Sequence, residues 1–179
     1  MIDRQLRRDL LRLGRLDAAL RSRWVRGGFT DRRVERKLEQ LTAAGLACVR
    51  EAIAERGWPG RAVVGARAAD VACKLVQHAG GPLPFLRHCL RLIRRSAARG
   101  DVPSAQVAYV TDSLRLLAGR KQLYGTKFRV EAGALVPCPI ERAASVDERR
   151  RLLGLEPLES YARRLRRRYP PPSAPGGRR

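Results

Sequence analysis

GWPGRAVVGARAADVACKLVQHAGGP, residues 57–82, carries the signals on which the reading of this fold turns. Trp58-Pro59-Gly60 reads as a rigid turn, because Pro fixes its own φ and Gly permits a positive one. From residue 66 to residue 79 the run of Ala, Val, Leu and Cys predicts a helix that is apolar around most of its circumference. Gly80-Gly81-Pro82 stops it. At about 100° per residue, Asp70, Lys74, Gln77 and His78 fall within about 100° of one another. A helix so apolar is expected to be buried, so its one polar stripe either faces water or lines a pocket. Asp70 and Lys74 are spaced as an i, i+4 pair. His78, near the helix C-terminus, is expected to have its protonated form favoured by the helix dipole.

Upstream, residues 2–25 place Leu6, Leu10, Leu13, Leu16 or Asp17, and Leu20 at three- and four-residue steps, one apolar stripe on an Arg-rich helix that Gly14 weakens. Such a helix either packs one face on the domain or lies on a membrane or RNA. Gly27-Gly28 breaks the chain. Thr30 is then expected as an N-cap with Asp31 in the first turn, and Phe29 and Val34 are placed for a hydrophobic staple. The second helix carries Val34, Leu38, Leu41, Val49 and Ile53 inward and ends at Gly57.

Downstream, Pro84 suits a helical first turn. Phe85, Leu86, Cys89, Leu90, Ile93 and Ala97 form the buried face of that helix. Its other face carries Arg87, Arg91, Arg94 and Arg95, a basic ridge able to touch phosphate or to face water. Ser104 is placed to cap a helix whose seam is Val107, Val110, Leu114 and Leu117. The period then changes to two: residues 123–130 and 135–140 predict a hairpin around Ala132-Gly133, with Pro137 and Pro139 holding the second strand to an edge. Ser145-Val146-Asp147-Glu148 has the form of a capping box opening a short helix that ends at Gly154, and Leu158, Tyr161 and Leu165 support a last one. The expected fold is mainly α, a small orthogonal helical domain of about six to seven helices with one hairpin near 123–140. Its expected organisation is a basic N-terminal amphipathic helix (1–28), one helical domain (29–168) and a flexible basic Pro/Gly-rich tail (169–179).

The formal charge is +21, from 38 Lys and Arg against 17 Asp and Glu. Codon bias can supply arginine, but it does not remove acids, so the field should draw anionic ligands or nucleic acid. The excess is densest toward the two ends. No window approaches the roughly 20 apolar residues of a membrane helix, and the N-terminus lacks a secretory h-region. A cytoplasmic protein without membrane insertion is expected. Cys48, Cys73, Cys89 and Cys138 are far apart and form no C-x-x-C pair, which argues against a disulfide framework or zinc site. No metal or cofactor signature is present.

Gly57-Trp58-Pro59-Gly60-Arg61, Val76-Gln77-His78-Ala79, Ala108-Tyr109-Val110-Thr111-Asp112 and Gly119-Arg120-Lys121-Gln122-Leu123-Tyr124-Gly125-Thr126 follow one another in an order that resembles a bacterial family, domain of unknown function 6624. Leu135-Val136-Pro137 with Pro139-Ile140, and Val146-Asp147-Glu148-Arg149-Arg150, are similar to its C-terminal signature, and Asp17 to an acidic position in its first helix. The resemblance spans roughly residues 40–165. It implies that Gln77, His78, Asp112, Gln122, Tyr124 and Thr126 converge on one site, and it carries no established activity. This chain departs from the pattern at Gly45, Gly80, Ser113 and Lys127, where Asn, an acid, Arg and Gln are expected.

Two functional expectations stand. In the first, a His-dependent enzyme or ligand-binding protein acts on a small anionic substrate. His78 is the general acid or base, Asp112 orients or neutralises it, and Gln77, Tyr124, Thr126, Gln122, Arg61 and Lys74 hold the substrate. In the second, a cationic, non-catalytic module binds nucleic acid or an acidic protein, with the Arg-rich end helices and the tail contacting phosphates.

Overall fold

A computed structural model describes residues 2–28, 30–131 and 133–169. Phe29 of the expected staple, Ala132 of the hairpin turn and the tail from residue 170 lie outside the described residues. In chain order the elements are α1 (Arg4–Arg26), α2 (Arg32–Arg56), α3 (Arg61–Val64), α4 (Ala66–His78), α5 (Leu83–Ala98), α6 (Ser104–Leu117), β1 (Phe128–Glu131), β2 (Ala134–Pro137), α7 (Val146–Leu152) and α8 (Leu158–Arg168). The fold is mainly helical with one antiparallel hairpin. The one-turn α3 is the helix that hydrophobic periodicity does not announce, since four residues span little more than one turn.

The helix starts follow acceptor chemistry. Asp3 caps α1 by accepting from the N–H groups of Gln5 and Leu6. Asp31 caps α2 by accepting from Arg33 and Val34. Thr30, expected in that role, instead donates its hydroxyl to Gly27 O at 2.9 Å. A carboxylate is the stronger acceptor for the exposed amides at a helix start. Ser104 is the first residue of α6, with Pro103 preceding it and no side-chain cap. Ser145 likewise makes no capping bond to α7. It donates to Arg142 O and accepts from Arg149 Nη1.

Helix α4 is the centre of the packing and contacts α1, α2, α3, α5 and α6. Ala68, Ala69, Ala72, Cys73, Leu75 and Val76 are all buried, and small residues among them let neighbours come close. A Cβ on Gly14 of α1 would lie 2.6 Å from Val71 Cγ2, and one on Gly45 of α2 would lie 2.9 Å from Leu75 Cδ2. Glycine inside a helix costs about 0.5–1 kcal/mol. Here it permits two close helix contacts with α4, and an Asn at position 45 would meet Leu75. On α1, Leu10 is fully buried, while Leu16 is 45% exposed and Asp17 only 7%. The inward stripe of α1 therefore runs through the aspartate.

The hairpin pairs Phe128 with Pro137 and Glu131 with Ala134. It is shorter than the period-two pattern predicts. Residues 123–126 are irregular because the amides of Leu123, Tyr124 and Thr126 are taken by the Asp112 carboxylate, and a backbone N–H bonded elsewhere cannot join a ladder. Among the described residues no helix is long and apolar enough to cross a membrane.

Candidate functional site

Asp17 projects from the buried stripe of α1 to the C-terminal end of α4, where its Oδ2 lies 2.9 Å from His78 Nδ1. Its Oδ1 accepts from Arg21 Nε one turn along α1, also at 2.9 Å. The side chains of Asp17 and His78 are 10% and 22% exposed. A neutral His78 bonded this way carries its proton on Nδ1 and leaves Nε2 as the basic nitrogen. Burial pushes the imidazole below its ordinary value. The bond to Asp17 opposes that shift, and the charges of Arg21 and Lys127 reinforce it. The helix-dipole expectation is thus reversed: the neutral form is favoured. Burial alone would raise Asp17, but the bond and charge of His78 with those of Arg21 outweigh it and bring the carboxyl below the usual range.

The pair opens into a cleft of about 700 Å³ between α1, α4, α6 and α8. Three members of the polar stripe of α4, Lys74, Gln77 and His78, line it, so that stripe borders a cavity. Asp70, the fourth, accepts from Gln106 Nε2 at 2.8 Å and stands 4.0 Å from Lys74 Nζ. Gln106 Oε1 is buried without a donor among the described residues. Arg21, Arg164 and Arg168 bring further cations to the wall, beside Tyr109 and Tyr161. Tyr161 is held between two guanidinium groups, those of Arg150 and Arg164, each 5.0 Å from its ring centre. Arg150 is fully buried and donates to Tyr124 O and Glu156 O at 2.5 and 2.6 Å, tying α7 to the 123–126 segment.

Asp112, expected to orient His78, has a different task. It is fully buried on α6. Its oxygens accept from Leu123 N, Tyr124 N, Thr126 N and Thr126 Oγ1, with the closest approach to each donor between 2.7 and 3.1 Å. With its lone pairs committed to that loop, the partner of His78 is Asp17. Gln122 is equally committed. Its amide nitrogen donates to Lys127 O and Cys138 O, its oxygen accepts from Lys127 N, and it has no exposed surface. The Thr126 hydroxyl is used on Asp112, and Tyr124 meets its neighbours here through its backbone. None of Asp112, Gln122, Tyr124 and Thr126 lines the cleft. They form a polar clamp, because buried donors and acceptors must find partners wherever the chain turns without regular structure.

Lys127, whose backbone belongs to this clamp, acts on the site through its charge, which bears on His78. Burial and the Arg21 charge push its amine down to about 8, with Asp112 opposing. Arg61 lies elsewhere: it lines a second cleft beside Trp58 that shares no lining residue with the first. Of the residues expected to form one site, Asp112, Gln122, Tyr124 and Thr126 belong to the clamp, Arg61 lies in the second cleft, and His78, Gln77 and Lys74 meet at the first cleft. Asp17, Arg21, Gln106, Tyr109, Arg164 and Arg168 join them. Asp17 had a sequence signal, a carboxylate at a core position of a leucine stripe, which demands a buried partner. The rest range from the buried Gln106 to the exposed Arg164 and Arg168, and their convergence depends on how four helices are arranged.

A mainly helical domain with a carboxylate–imidazole pair in an arginine-lined cleft is the class that fold and geometry define. The chain belongs to a Family of unknown function (DUF6624), whose model matches residues 4–170. Comparison with curated proteins and with solved structures finds no match.

Proposed function

We propose that the cleft binds a small anionic metabolite and that His78 moves a proton on it as a general base. The observation that carries this reading is the 2.9 Å contact of His78 Nδ1 with Asp17, which directs the basic Nε2 away from the carboxylate in a cleft walled by Arg21, Lys74, Arg164 and Arg168. A histidine kept neutral near pH 7 and held in one tautomer suits proton abstraction from a water or a substrate hydroxyl. The surrounding cations would bind the substrate's negative charge and any charge that develops on it. Asp17 is a positioning residue, and Gln77, whose amide has no hydrogen bond among the described residues, supplies a group for orientation.

The test is incubation of the purified protein with a small-molecule extract, followed by mass analysis. The expected result is consumption of an anionic metabolite by the wild type, slowed about 10²–10⁴-fold in His78→Gln while the protein stays folded. Turnover at the wild-type rate in His78→Gln, or no metabolite consumed at all, would sink the reading.

A further inference from the structure

The second cleft has a volume of about 640 Å³ and is lined by Arg56, Arg61, Arg95 and Arg99 together with Trp58. Trp58 and Arg61 come from the two ends of the Trp58-Pro59-Gly60-Arg61 turn, which is clasped to the loop after α5. Arg61 N donates to Asp101 O at 3.0 Å and Ala62 N to Asp101 Oδ1 at 2.8 Å. The one aspartate in the cleft wall is therefore engaged with backbone. Trp58 is 6% exposed, and its indole N–H is buried without an acceptor among the described residues.

Arg95 and Arg99 are the last two members of a row, Arg87, Arg91, Arg95 and Arg99, spaced four residues apart along α5 and its C-cap. Residues four apart share a helix face and rise about 6 Å per step. Like charges in that relation repel; Arg91 Nη2 lies 3.3 Å from His88 Nδ1 and Arg99 Nη2 donates to Ser96 Oγ, and neither partner brings a negative charge. No Asp or Glu stands between Asp70 and Asp101 in the sequence. Among the described residues, Arg61, Arg87, Arg91, Arg95 and Arg99 have no carboxylate within 4.0 Å, whereas Arg56 pairs with Asp3 and Glu55. A codon bias toward arginine does not account for 30 consecutive residues without an acid. A linear array of phosphates would satisfy both the row and the cleft in which it ends.

We propose that the α5 row and the Trp58 cleft form a track for the sugar–phosphate backbone of a nucleic-acid strand, independent of base sequence. The row binds successive phosphates, and the cleft receives one between Arg95, Arg99 and Arg61. A multi-phosphate track is favoured over a site for a single small anion because the row extends beyond the cleft by two helical turns. This assignment is separate from the His78 cleft and does not depend on it.

The test is fluorescence anisotropy of labelled single-stranded RNA and duplex DNA 20-mers against the full chain from low to physiological salt. One comparison is between Arg91→Ser/Arg95→Ser and a control of equal charge loss on exposed positions of α1, Arg12→Ser/Arg15→Ser. The α5 pair is expected to weaken binding at least tenfold at physiological salt. It should also lower the slope of log K against log salt by nearly two, about one for each phosphate that the protein no longer neutralises. The control is expected to stay within about twofold. In a Trp24→Phe background the emission of Trp58 is expected to change on binding. Equal losses in the two double variants would show that net charge alone attracts the strand and would overturn the proposal. So would oligonucleotide binding displaced by equimolar inorganic phosphate, or binding confined to vesicles of anionic lipid.

Discussion

Asp17 and His78 are 61 residues apart in the chain and 2.9 Å apart in the fold, and their contact joins α1 to α4 across the edge of the basic cleft. The bond sits between water and core, where the desolvation of the ring and the charge of its partner oppose each other.

The ring's titration reads that balance directly. With the His78 imidazole lowered from 6.5, NMR of its ring nitrogens is expected to give a midpoint below that value. Nδ1 should be the protonated nitrogen in the neutral form. Asp17→Asn keeps an acceptor for Nδ1–H but removes the charge, so the midpoint should fall further. A wild-type midpoint above 6.5 would contradict the assignment.

Acid sensitivity follows with the same sign. Both members of the pair have folded-state values below their unfolded ones, 6.5 for the imidazole and 3.8 for the carboxyl. The contribution of His78 is complete above pH 6.5 and is lost as pH falls through its folded value. That of Asp17 is complete above 3.8 and is lost at lower pH. Urea midpoints measured from pH 7.5 down to 4.5 should decline for the wild type, and less steeply for His78→Gln. Loss of the buried, charge-assisted bond in Asp17→Ala is expected to cost about 2 kcal/mol at pH 7.

Asp112 is predicted to matter for folding and not for the titration of His78. Asp112→Asn replaces one acceptor oxygen by a donor facing N–H groups, and should destabilise by about 3 kcal/mol. A Tm lower by about 6–12 °C corresponds to that change for a chain of this size. The His78 midpoint should move little. A large shift of that midpoint with unchanged Tm would restore Asp112 to the site.

Lys127 offers a stabilising substitution. Its folded-state value of about 8 lies below the ordinary 10.5, so its favourable contribution is present above 10.5 and lost as pH falls through 8. At pH 7 the charged amine is held where burial disfavours it. Lys127→Gln, the residue that the family resemblance implies at this position, should raise Tm by a few degrees at pH 7. The gain should fade as pH approaches 10.5. A Tm that falls at pH 7 would mean that the amine has a favourable partner.

Gly60→Ala tests the clasp of the Trp58 turn. The added Cβ would lie 1.7 Å from Asp101 Oδ2, and that carboxylate is fixed by its bond to Ala62 N. Overpacking of this kind is expected to cost about 1–3 kcal/mol. Chemical denaturation would measure it, and a neutral result would mean that Asp101 can swing away.

The longer helices were legible because each writes its own period into the chain, which the four residues of α3 are too few to do. The leucine steps of α1, the apolar length of α4 and the Phe85–Ile93 face of α5 are local patterns, and burial follows from them. The hairpin was legible in kind but not in length, since the amides of Leu123 and Tyr124 could serve a ladder or a carboxylate, and only the position of Asp112 settles which.

By itself the sequence determined a mainly helical chain around the 66–79 segment, a hairpin after it, a strongly basic composition and His78 on a polar stripe. Tertiary structure decided which polar groups meet. It turned Asp17 inward to His78, committed Asp112 and Gln122 to the loop they hold, and sent Arg61 to a different cleft from Lys74. The physical reason is range. Helical periodicity is set by neighbours within about four residues, whereas a hydrogen bond between α1 and α4 depends on how closely Gly14 lets those helices approach.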